Sequence, residues 1–261
     1  MSYQTIIVEK RDGWAKLTLN RPQVLNALNS QVQHELDMAL DEIERDEEIR
    51  VLVVAGAGRS FCAGADLKEV LTRLGDVEKL HSFSRGYIRL CTKIENMSKP
   101  TIAMVHGHVL AGGLELALGC DIIIAAEDAV VGDQHANFGL VPGGGNTQRI
   151  PRVMGVKRGL AHILTGEWLS GKEAERLGLV SKAVPADKLE EATMGVVNNL
   201  LLKSQIASRT IKNLVYRGMQ GDINTGLKLE LFGVTQHFFS EDCREGLDAF
   251  VGKRQPKFKG N

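Results

Sequence analysis

The sequence predicts an α/β protein whose C-terminal part is entirely helical. Short apolar runs such as residues 51–54 are typical of strands that are covered on both faces. Between these runs lie segments whose apolar residues recur at helical spacing. From Lys188 onward only the helical pattern continues. A chain of 261 residues with 43% hydrophobic and 25% charged residues can bury a large core, as soluble globular enzymes do.

The chain begins with a predicted hairpin. Residues 5–9 and 15–19 have strand patterns, and Arg11-Asp12-Gly13 supplies the turn between them. Proline in Asn20-Arg21-Pro22 then ends the extended run. Ser30 is the expected N-cap of the first helix, because an apolar face follows it at helical spacing. That face consists of Leu36, Leu40 and Ile43.

The middle of the chain alternates strands with helices. After the strand at 51–54, one set of apolar residues falls at helical spacing: Tyr87, Leu90, Cys91, Ile94 and Met97. Pro100 separates this helix from a strand at 101–105. Residues 120–125 predict another strand, and Val180 with its neighbours predicts a later one. In the helical C-terminal part, one face carries Ile211, Leu214, Val215 and Met219.

Charge and cysteine usage exclude several classes of partner. The formal net charge is +0 and no long basic run occurs, so the sequence predicts neither a nucleic-acid nor a membrane partner. The N-terminus lacks a charged-then-apolar signal pattern, which predicts a cytoplasmic protein. The cysteines are far apart without CxxC spacing, which favours reduced thiols over disulfides or zinc. They are Cys62, Cys91, Cys120 and Cys243.

The segment Ala111-Gly112-Gly113-Leu114-Glu115 carries the clearest chemical signal. A glycine pair opens an apparent helix, and a carboxylate follows within its first turn. Glycine lets backbone N–H groups approach a ligand closely, and the first N–H groups of a helix are unpaired. Such a turn can hold a negatively charged oxygen while Glu115 moves a proton nearby. The apolar and glycine neighbours favour a buried carboxylate with a raised pKa.

Several further segments carry a family resemblance. They are Asn20-Arg21-Pro22, Asn26-Ala27-Leu28-Asn29, Ser60-Phe61-Cys62-Ala63-Gly64-Ala65-Asp66-Leu67, Lys99-Pro100-Thr101-Ile102-Ala103, Cys120-Asp121, Val141-Pro142-Gly143-Gly144-Gly145, Thr147-Gln148-Arg149, Leu164-Thr165-Gly166 and Ala174-Glu175-Arg176-Leu177-Gly178-Leu179-Val180. By their order and spacing, the chain resembles the crotonase (enoyl-CoA hydratase/isomerase) superfamily along almost its whole length. This resemblance implies a spiral of ββα turns over residues 1–195 that binds an acyl-CoA thioester. It also implies a helical trimerisation region over residues 196–261, with trimers that commonly pair into hexamers.

The resemblance also implies roles for individual residues. The N–H groups of Ala65 and Gly112 match the oxyanion hole that binds the thioester oxygen. Glu115 matches one of the two glutamates that hold water and shuttle protons in hydratases of this family. Counting back from Pro142 without a gap, the place of the second glutamate is taken by His135. Histidine can act as an acid or base near neutral pH, and Asp133 could orient it or replace the missing carboxylate.

The expected substrate contacts follow from the same resemblance. Asn26, Ala27 and Leu28 match a segment that lies along the CoA moiety. Ala63 and Ala65 match the other side of the CoA moiety, and Asp66 and Gly113 are also expected to bind substrate. Phe250 and Lys253 match positions that reach the nucleotide bound by a neighbouring subunit, and His81 and Tyr87 belong to the segment that lines the acyl end. No metal and no separate cofactor are expected, since coenzyme A is part of the substrate.

The predicted reaction is reversible addition of water to an α,β-unsaturated acyl-CoA. The substitution of His135 for a glutamate leaves other enolate chemistry open, namely double-bond isomerisation, decarboxylation and hydrolytic carbon–carbon cleavage. Dehalogenation is disfavoured, because that branch needs an aspartate where this chain has Pro142 and Gly143. A noncatalytic, RNA-binding relative is the alternative of a different class. The pI near 7.1 and the presence of Glu115 argue against it.

Overall fold

The computed structural model describes residues 3–260. The chain divides into two compact units. The first contains the residues up to Met97 and those from Thr101 to Gly195, and the second contains Ser98–Pro100 and the chain from Val196 onward. The assignment of one part to catalysis and the other to oligomerisation stays a prediction.

The strands form two sheets, both in the first unit. Six strands pair in the order β1-β2-β3-β4-β6-β9, and three pair in the order β5-β7-β8. Their bounds are Ile6–Arg11 (β1), Trp14–Leu19 (β2), Val51–Gly56 (β3), Thr101–Val105 (β4), His108–Leu110 (β5), Ile122–Ala126 (β6), Val130–Gly132 (β7), Leu169–Ser170 (β8) and Lys182–Val184 (β9). In the larger sheet only β1 and β2 are antiparallel, and the other neighbours are parallel.

The α-helices connect the strands and then continue alone to the C-terminus. Their bounds are Ser30–Arg45 (α1), Leu67–Leu71 (α2), Val77–Asn96 (α3), Gly112–Leu118 (α4), Asn146–Met154 (α5), Val156–Thr165 (α6), Gly171–Arg176 (α7), Leu189–Leu201 (α8), Gln205–Gly218 (α9), Ile223–His237 (α10) and Glu241–Val251 (α11). Within residues 3–260, none of these helices has the length and apolar character that crossing a bilayer requires.

From β4 to β7, successive strands alternate between the two sheets, which produces the spiral. β4 enters the larger sheet, β5 enters the smaller one, and α4 follows. β6 and β7 repeat the step before α5. The buried faces of β3, β4 and β6 form the centre of the core, since side chains such as Val53, Ile102 and Ile124 are almost fully buried. The predicted ββα spiral and the predicted helical C-terminal part are both confirmed.

Three local predictions needed correction. Asn29 rather than Ser30 caps α1, because its Oδ1 accepts the Val32 N–H at 2.9 Å while Ser30 is already the first helical residue. Cys120 lies in the turn after α4, where its N–H donates to Ala117 O, so β6 begins only at Ile122. Val180 also lies in a turn, with its N–H on Ala174 O, and β9 begins two residues later.

The second unit leaves an apolar helix face uncovered within one chain. Ile211 and Val215 of α9, together with Met219 just beyond it, are all more than half exposed, at 61%, 57% and 73%. These residues were predicted to share one face. Leu214 lies instead against the neighbouring helix, where its side chain packs on Gly233 of α10.

Candidate active site

The first unit contains a cavity of about 220 Å³ that opens between two loops and α3. Its polar lining includes Ser84, Gln134, His135 and Glu115. The apolar side chains around it are Leu67, Val70, Leu80, Phe83, Tyr87, Phe138, Leu140 and Val141. A mostly apolar cavity with a few polar groups at one end is typical of a small-molecule site.

Two backbone amides lie side by side at the cavity wall. Gly64 has φ +107°, a value that favours glycine, and its turn places Ala65 next to the start of α4. A methyl group added to Gly112 would lie 3.4 Å from Ala65 N, so the two residues are direct neighbours. In these described loops, neither N–H donates to a backbone acceptor. Both residues line the cavity, and their joint use as an oxyanion hole stays a prediction.

Tyr87 fixes the second of these loops from α3. Its hydroxyl donates a hydrogen bond to Gly112 O, and the ring is 7% exposed. Burial, with the charge on Glu115 among the lesser causes, raises the pKa of Tyr87 well above its ordinary value. The hydroxyl is therefore a neutral donor that holds the Gly112 loop, besides forming part of the cavity lining.

Glu115 projects from α4 into the cavity lining while remaining 1% exposed. Its Oε1 accepts the Gly144 N–H at 2.6 Å and the Asn146 N–H at 3.3 Å. Burial raises the pKa of Glu115, and the charge on His135 with these two N–H groups offsets only part of that effect. The result is a fixed carboxylate whose Oε2 accepts neither of these N–H groups and whose pKa lies closer to neutrality than that of a surface glutamate.

His135 and Asp133 form a hydrogen-bonded pair beside Glu115. His135 Nδ1 lies 2.8 Å from Asp133 Oδ1, and the same oxygen accepts the His135 N–H at 3.1 Å. A carboxylate only accepts, so Nδ1 carries a proton and Nε2 remains for other partners. Burial lowers the pKa of His135, but the hydrogen bond to Asp133 and the charges of Asp133 and Glu115 raise it above its ordinary value. Of the two roles considered for Asp133, the geometry shows the orienting one.

Asp133 is itself held from several directions. Its side chain is 0% exposed, and its Oδ2 accepts a hydrogen bond from Asn146 Nδ2 at 2.7 Å. Burial raises the pKa of Asp133, but the hydrogen bonds from His135 and Asn146 bring it below its ordinary value. Asp133 N–H donates to His162 Nε2 at 3.3 Å, and burial lowers the pKa of that histidine. These hydrogen bonds therefore favour the ionised form of Asp133, which faces His135.

Asn26 and Gly113 support the loops from behind. Asn26 is 1% exposed; its Nδ2 donates to the carbonyl oxygens of Ala57, Ser60 and Phe61, and its Oδ1 accepts the Arg21 N–H at 2.8 Å. A methyl group on Gly113 would lie 2.2 Å from Cys62 O. Asn26 therefore braces the loops through hydrogen bonds, and Gly113 allows them to approach closely. The predicted contact of both residues with substrate stays a prediction.

The remaining predicted contacts differ in how accessible they are. Ala63 and Ala65 line the cavity, whereas Leu28 is 1% exposed and pairs with Ala65 through the backbone. Asp66 Oδ2 accepts two hydrogen bonds at 3.1 Å from Arg21, whose Nη1 also donates to Ala27 O. Asp66 therefore positions the loop of Ala27. Direct contact of Asp66, Ala27 or Leu28 with CoA stays a prediction.

Phe250 and Lys253 lie in the second unit. Phe250 is 83% exposed near the end of α11, and Lys253 follows that helix with φ +50°. Their predicted contact with a nucleotide of a neighbouring subunit stays a prediction. His81 and Tyr87, both on α3, were predicted to belong to the segment at the acyl end. His81 is exposed, whereas Tyr87 lines the cavity.

Two residues of the site were not predicted to take part in it. Gly144 packs its backbone against Glu115 and Tyr87, since a methyl group there would lie 2.5 Å from Glu115 Oε2. Asn146 contacts Glu115, Asp133 and Ala111 O at once. Gly144 belongs to one of the segments that carry the family resemblance, but the resemblance assigned no role to it. Asn146, read along the sequence, indicates only a helix start.

Two backbone amides and a buried carboxylate lie together on a ββα spiral. This arrangement is typical of enzymes that stabilise an oxyanion. The sequence profile of the enoyl-CoA hydratase/isomerase family matches residues 9–261. The chain therefore belongs to the enoyl-CoA hydratase/isomerase family.

Individual relatives match along the full chain. A probable enoyl-CoA hydratase of Mycobacterium tuberculosis is 39% identical over 258 residues, which cover 99% of each protein. The crotonyl-CoA hydratase of Syntrophomonas wolfei is 36% identical over 259 residues and 99% of each protein. The crystal structure of an enoyl-CoA hydratase from Bacillus anthracis superposes with a TM-score of 0.94 at 37% identity, covering 99% of this chain and 100% of that one.

Proposed function

We propose that this protein is an enoyl-CoA hydratase, which adds water reversibly across the α,β double bond of an acyl-CoA thioester. The observation that carries the proposal is the buried Glu115 carboxylate in the same cavity wall as the free amides of Ala65 and Gly112. Relatives named as enoyl-CoA and crotonyl-CoA hydratases over the full chain support it. Coenzyme A arrives with the substrate, so the reaction needs no separate cofactor.

The amides of Ala65 and Gly112 bind the thioester oxygen. As water attacks C3, electrons move through the double bond onto that oxygen, and the two N–H groups stabilise the enolate that forms. Each donor of this kind lowers the barrier by roughly 3 kcal/mol when its geometry is fixed in advance. Tyr87 contributes by holding the Gly112 carbonyl, and with it the loop that carries one of the two donors.

Glu115 and His135 carry the protons. The Glu115 carboxylate accepts the proton of the attacking water, and protonated His135 gives its Nε2 proton to C2 of the enolate. A proton passes from Glu115 back to His135 to complete the cycle. The hydrogen bond from Nδ1 to Asp133 stabilises the charged imidazole that this sequence requires.

The pH dependence of kcat/KM follows from these two groups. The active form has Glu115 ionised and His135 protonated. Both pKa values are raised, so activity falls in acid with a midpoint above 4.5 and falls in alkali with a midpoint above 6.5. Initial rates with crotonyl-CoA from pH 4.5 to 9 measure both limbs. His135→Gln should keep the acid limb and lose the alkaline one, whereas an unchanged alkaline limb would remove His135 from the proton path.

Gly144→Ala should lower kcat by roughly 10- to 100-fold, because displacements near 1 Å in a catalytic group have effects of this size. The added methyl group would meet Glu115 Oε2 and Tyr87 Cε1, each at 2.5 Å, and must push one of them aside. Gly143→Ala is the matched control, since its nearest contact would be Ser84 Oγ at an ordinary 3.8 Å. Equal rates for the two variants, at equal melting temperatures, would contradict the packing argument.

The experiment that tests the function is incubation of the purified protein with a panel of CoA esters. The panel contains 2-enoyl, 3-enoyl, 3-hydroxyacyl and oxoacyl esters, and mass spectrometry identifies the products. A gain of 18 Da on 2-enoyl esters supports hydration. Conversion of 3-enoyl to 2-enoyl esters without a change in mass would make the protein an isomerase instead.

One observation favours a second candidate, which is hydrolytic carbon–carbon cleavage of an oxoacyl-CoA. The Asp133–His135 pair resembles the arrangement by which a histidine activates water for attack on a carbonyl. The same panel separates the two reactions, because cleavage gives two shorter products from an oxoacyl ester and leaves 2-enoyl esters untouched.

We also propose that the protein is a homo-oligomer, a trimer or a hexamer, in the cytoplasm. The uncovered apolar residues of α9, Ile211 and Val215, support an interface between copies. Cys62, Cys91, Cys120 and Cys243 form no disulfide within the described residues, which suits a reducing compartment. Sedimentation analysis of the purified protein measures the assembly, and a monomer at micromolar concentration would contradict it.

A further inference from the structure

Asn146 contacts three separate parts of the site through one residue. It is the first residue of α5 and is 0% exposed. Its backbone N–H donates to Glu115 Oε1 at 3.3 Å. Its Nδ2 donates to Asp133 Oδ2 at 2.7 Å and to Ala111 O at 3.3 Å. Within residues 3–260, no other residue donates hydrogen bonds to the carboxylates of both Glu115 and Asp133.

The contact with Ala111 O reaches the oxyanion hole directly. This carbonyl and the Gly112 N–H belong to the same planar peptide unit, so whatever fixes the carbonyl also fixes the direction of the N–H. Ala111 has φ +48° and ψ −116°, a conformation that residues with a side chain rarely adopt. The Nδ2 hydrogen bond therefore helps to hold a strained peptide in the orientation that exposes its donor.

The contact with Asp133 reaches the acid–base pair. Asp133 Oδ1 accepts a hydrogen bond from His135 Nδ1, and Oδ2 accepts one from Asn146 Nδ2, so the two partners together fix the plane of the carboxylate. The orientation of the Asn146 amide is determined by its surroundings, because reversing it would place Oδ1 against two oxygen acceptors. The titratable groups that face this network are Glu115, Asp133, His135 and His162.

We propose that Asn146 is a positioning residue that aligns the Gly112 amide, the Asp133–His135 pair and Glu115 with one another. It touches no substrate and acts through its three hydrogen bonds. The proposal rests on the proposed hydratase function, because the aligned groups are those that this reaction uses.

The test compares Asn146→Ala and Asn146→Asp with Gln148→Ala, a truncation of an exposed amide on the same helix. Asn146→Ala keeps the backbone bond to Glu115 but loses both Nδ2 bonds, so kcat should fall roughly 10- to 100-fold while KM changes less than about threefold. Gln148→Ala should retain kcat within about twofold. Circular dichroism and melting temperature identify any variant that fails to fold.

Asn146→Asp separates positioning from simple packing. Two carboxylates would then meet at Asp133, and only a protonated Asp at 146 can donate the missing hydrogen bond. The ratio of its kcat to that of the wild type should therefore rise at least about threefold between pH 8 and pH 6. A flat ratio, or Asn146→Ala with kcat within about twofold of the wild type, would overturn the proposal.

A measurement without turnover distinguishes this proposal from the hydratase assignment. Imidazole ¹⁵N spectra of His135 report its titration in the wild type and in Asn146→Ala. Loss of a donor to Asp133 leaves more negative charge facing His135, so the midpoint should move to higher pH. If the midpoint moves but no enoyl-CoA is hydrated, positioning stands and the assigned reaction fails; an unmoved midpoint counts against Asn146 whatever the reaction.

Discussion

Glu115→Gln should reduce kcat by roughly two to four orders of magnitude, which is the range that removal of a required acid–base group produces. The substitution preserves the local structure, because the Gln Oε1 can still accept the N–H groups of Gly144 and Asn146. What it removes is the ability to accept a proton from water. Binding of an acyl-CoA, followed by calorimetry, should change less than about threefold. Rates near those of the wild type would refute the assigned role.

Glu35→Gln is the matched control for this prediction. Glu35 is also buried, at 8% exposure, and it also accepts backbone hydrogen bonds, from Gln4 and Thr5. Burial raises its pKa, but the hydrogen bonds from Thr5, Gln4 and Gln31 bring it below the ordinary value. Its charge is thus satisfied structurally. We expect Glu35→Gln to lower stability by about 1 kcal/mol and to leave kcat unchanged.

The contrast between these glutamates shows what the sequence could predict. The neighbours of Glu115 are glycine or apolar, and this local composition was enough to predict burial and a raised pKa. The hydrogen bonds that hold Glu115 come from Gly144 and Asn146, which are 29 and 31 residues further along the chain. Nothing local indicates this pairing, because the spiral brings the start of α5 back to α4.

Errors of one or two residues have a different origin. Asn29 and Ser30 are both good N-cap residues, and only the position of Val32 N decides between them. For Asn26, the matching segment predicted a substrate contact, but it gave no sign that the side chain is hydrogen-bonded to three backbone carbonyls of the neighbouring loop. Counting back from Pro142 was enough to find that histidine replaces the second glutamate at position 135. That this histidine is hydrogen-bonded to Asp133 became visible only in the structure.

His135→Ala should lower kcat about 100-fold, because it removes one of two proton-transfer groups while Glu115 and both amides remain. The loss should appear in kcat rather than in KM. His34→Ala is the control, since His34 is exposed on α1. A loss of less than about fivefold would return His135 to a structural role in shaping the cavity.

Replacing His135 by glutamate tests the reaction class more sharply. Two-glutamate hydratases use a carboxylate here, so His135→Glu alone would at first sight improve hydration. Asp133 prevents this, because its buried oxygen lies only 2.8 Å from the group that is replaced, and two carboxylates at that distance cannot both ionise. We therefore expect His135→Glu to hydrate crotonyl-CoA poorly.

The double variant Asp133→Asn/His135→Glu removes this conflict, since an amide at 133 can donate to the new carboxylate and still accept from Asn146 Nδ2. Its hydration rate should exceed that of His135→Glu by roughly tenfold, about 1.4 kcal/mol in the barrier. Asp133→Asn alone should lose activity, because the histidine then lacks its anion. If both glutamate variants are equally inactive while the wild type cleaves oxoacyl esters, the Asp133–His135 pair serves hydrolysis rather than hydration.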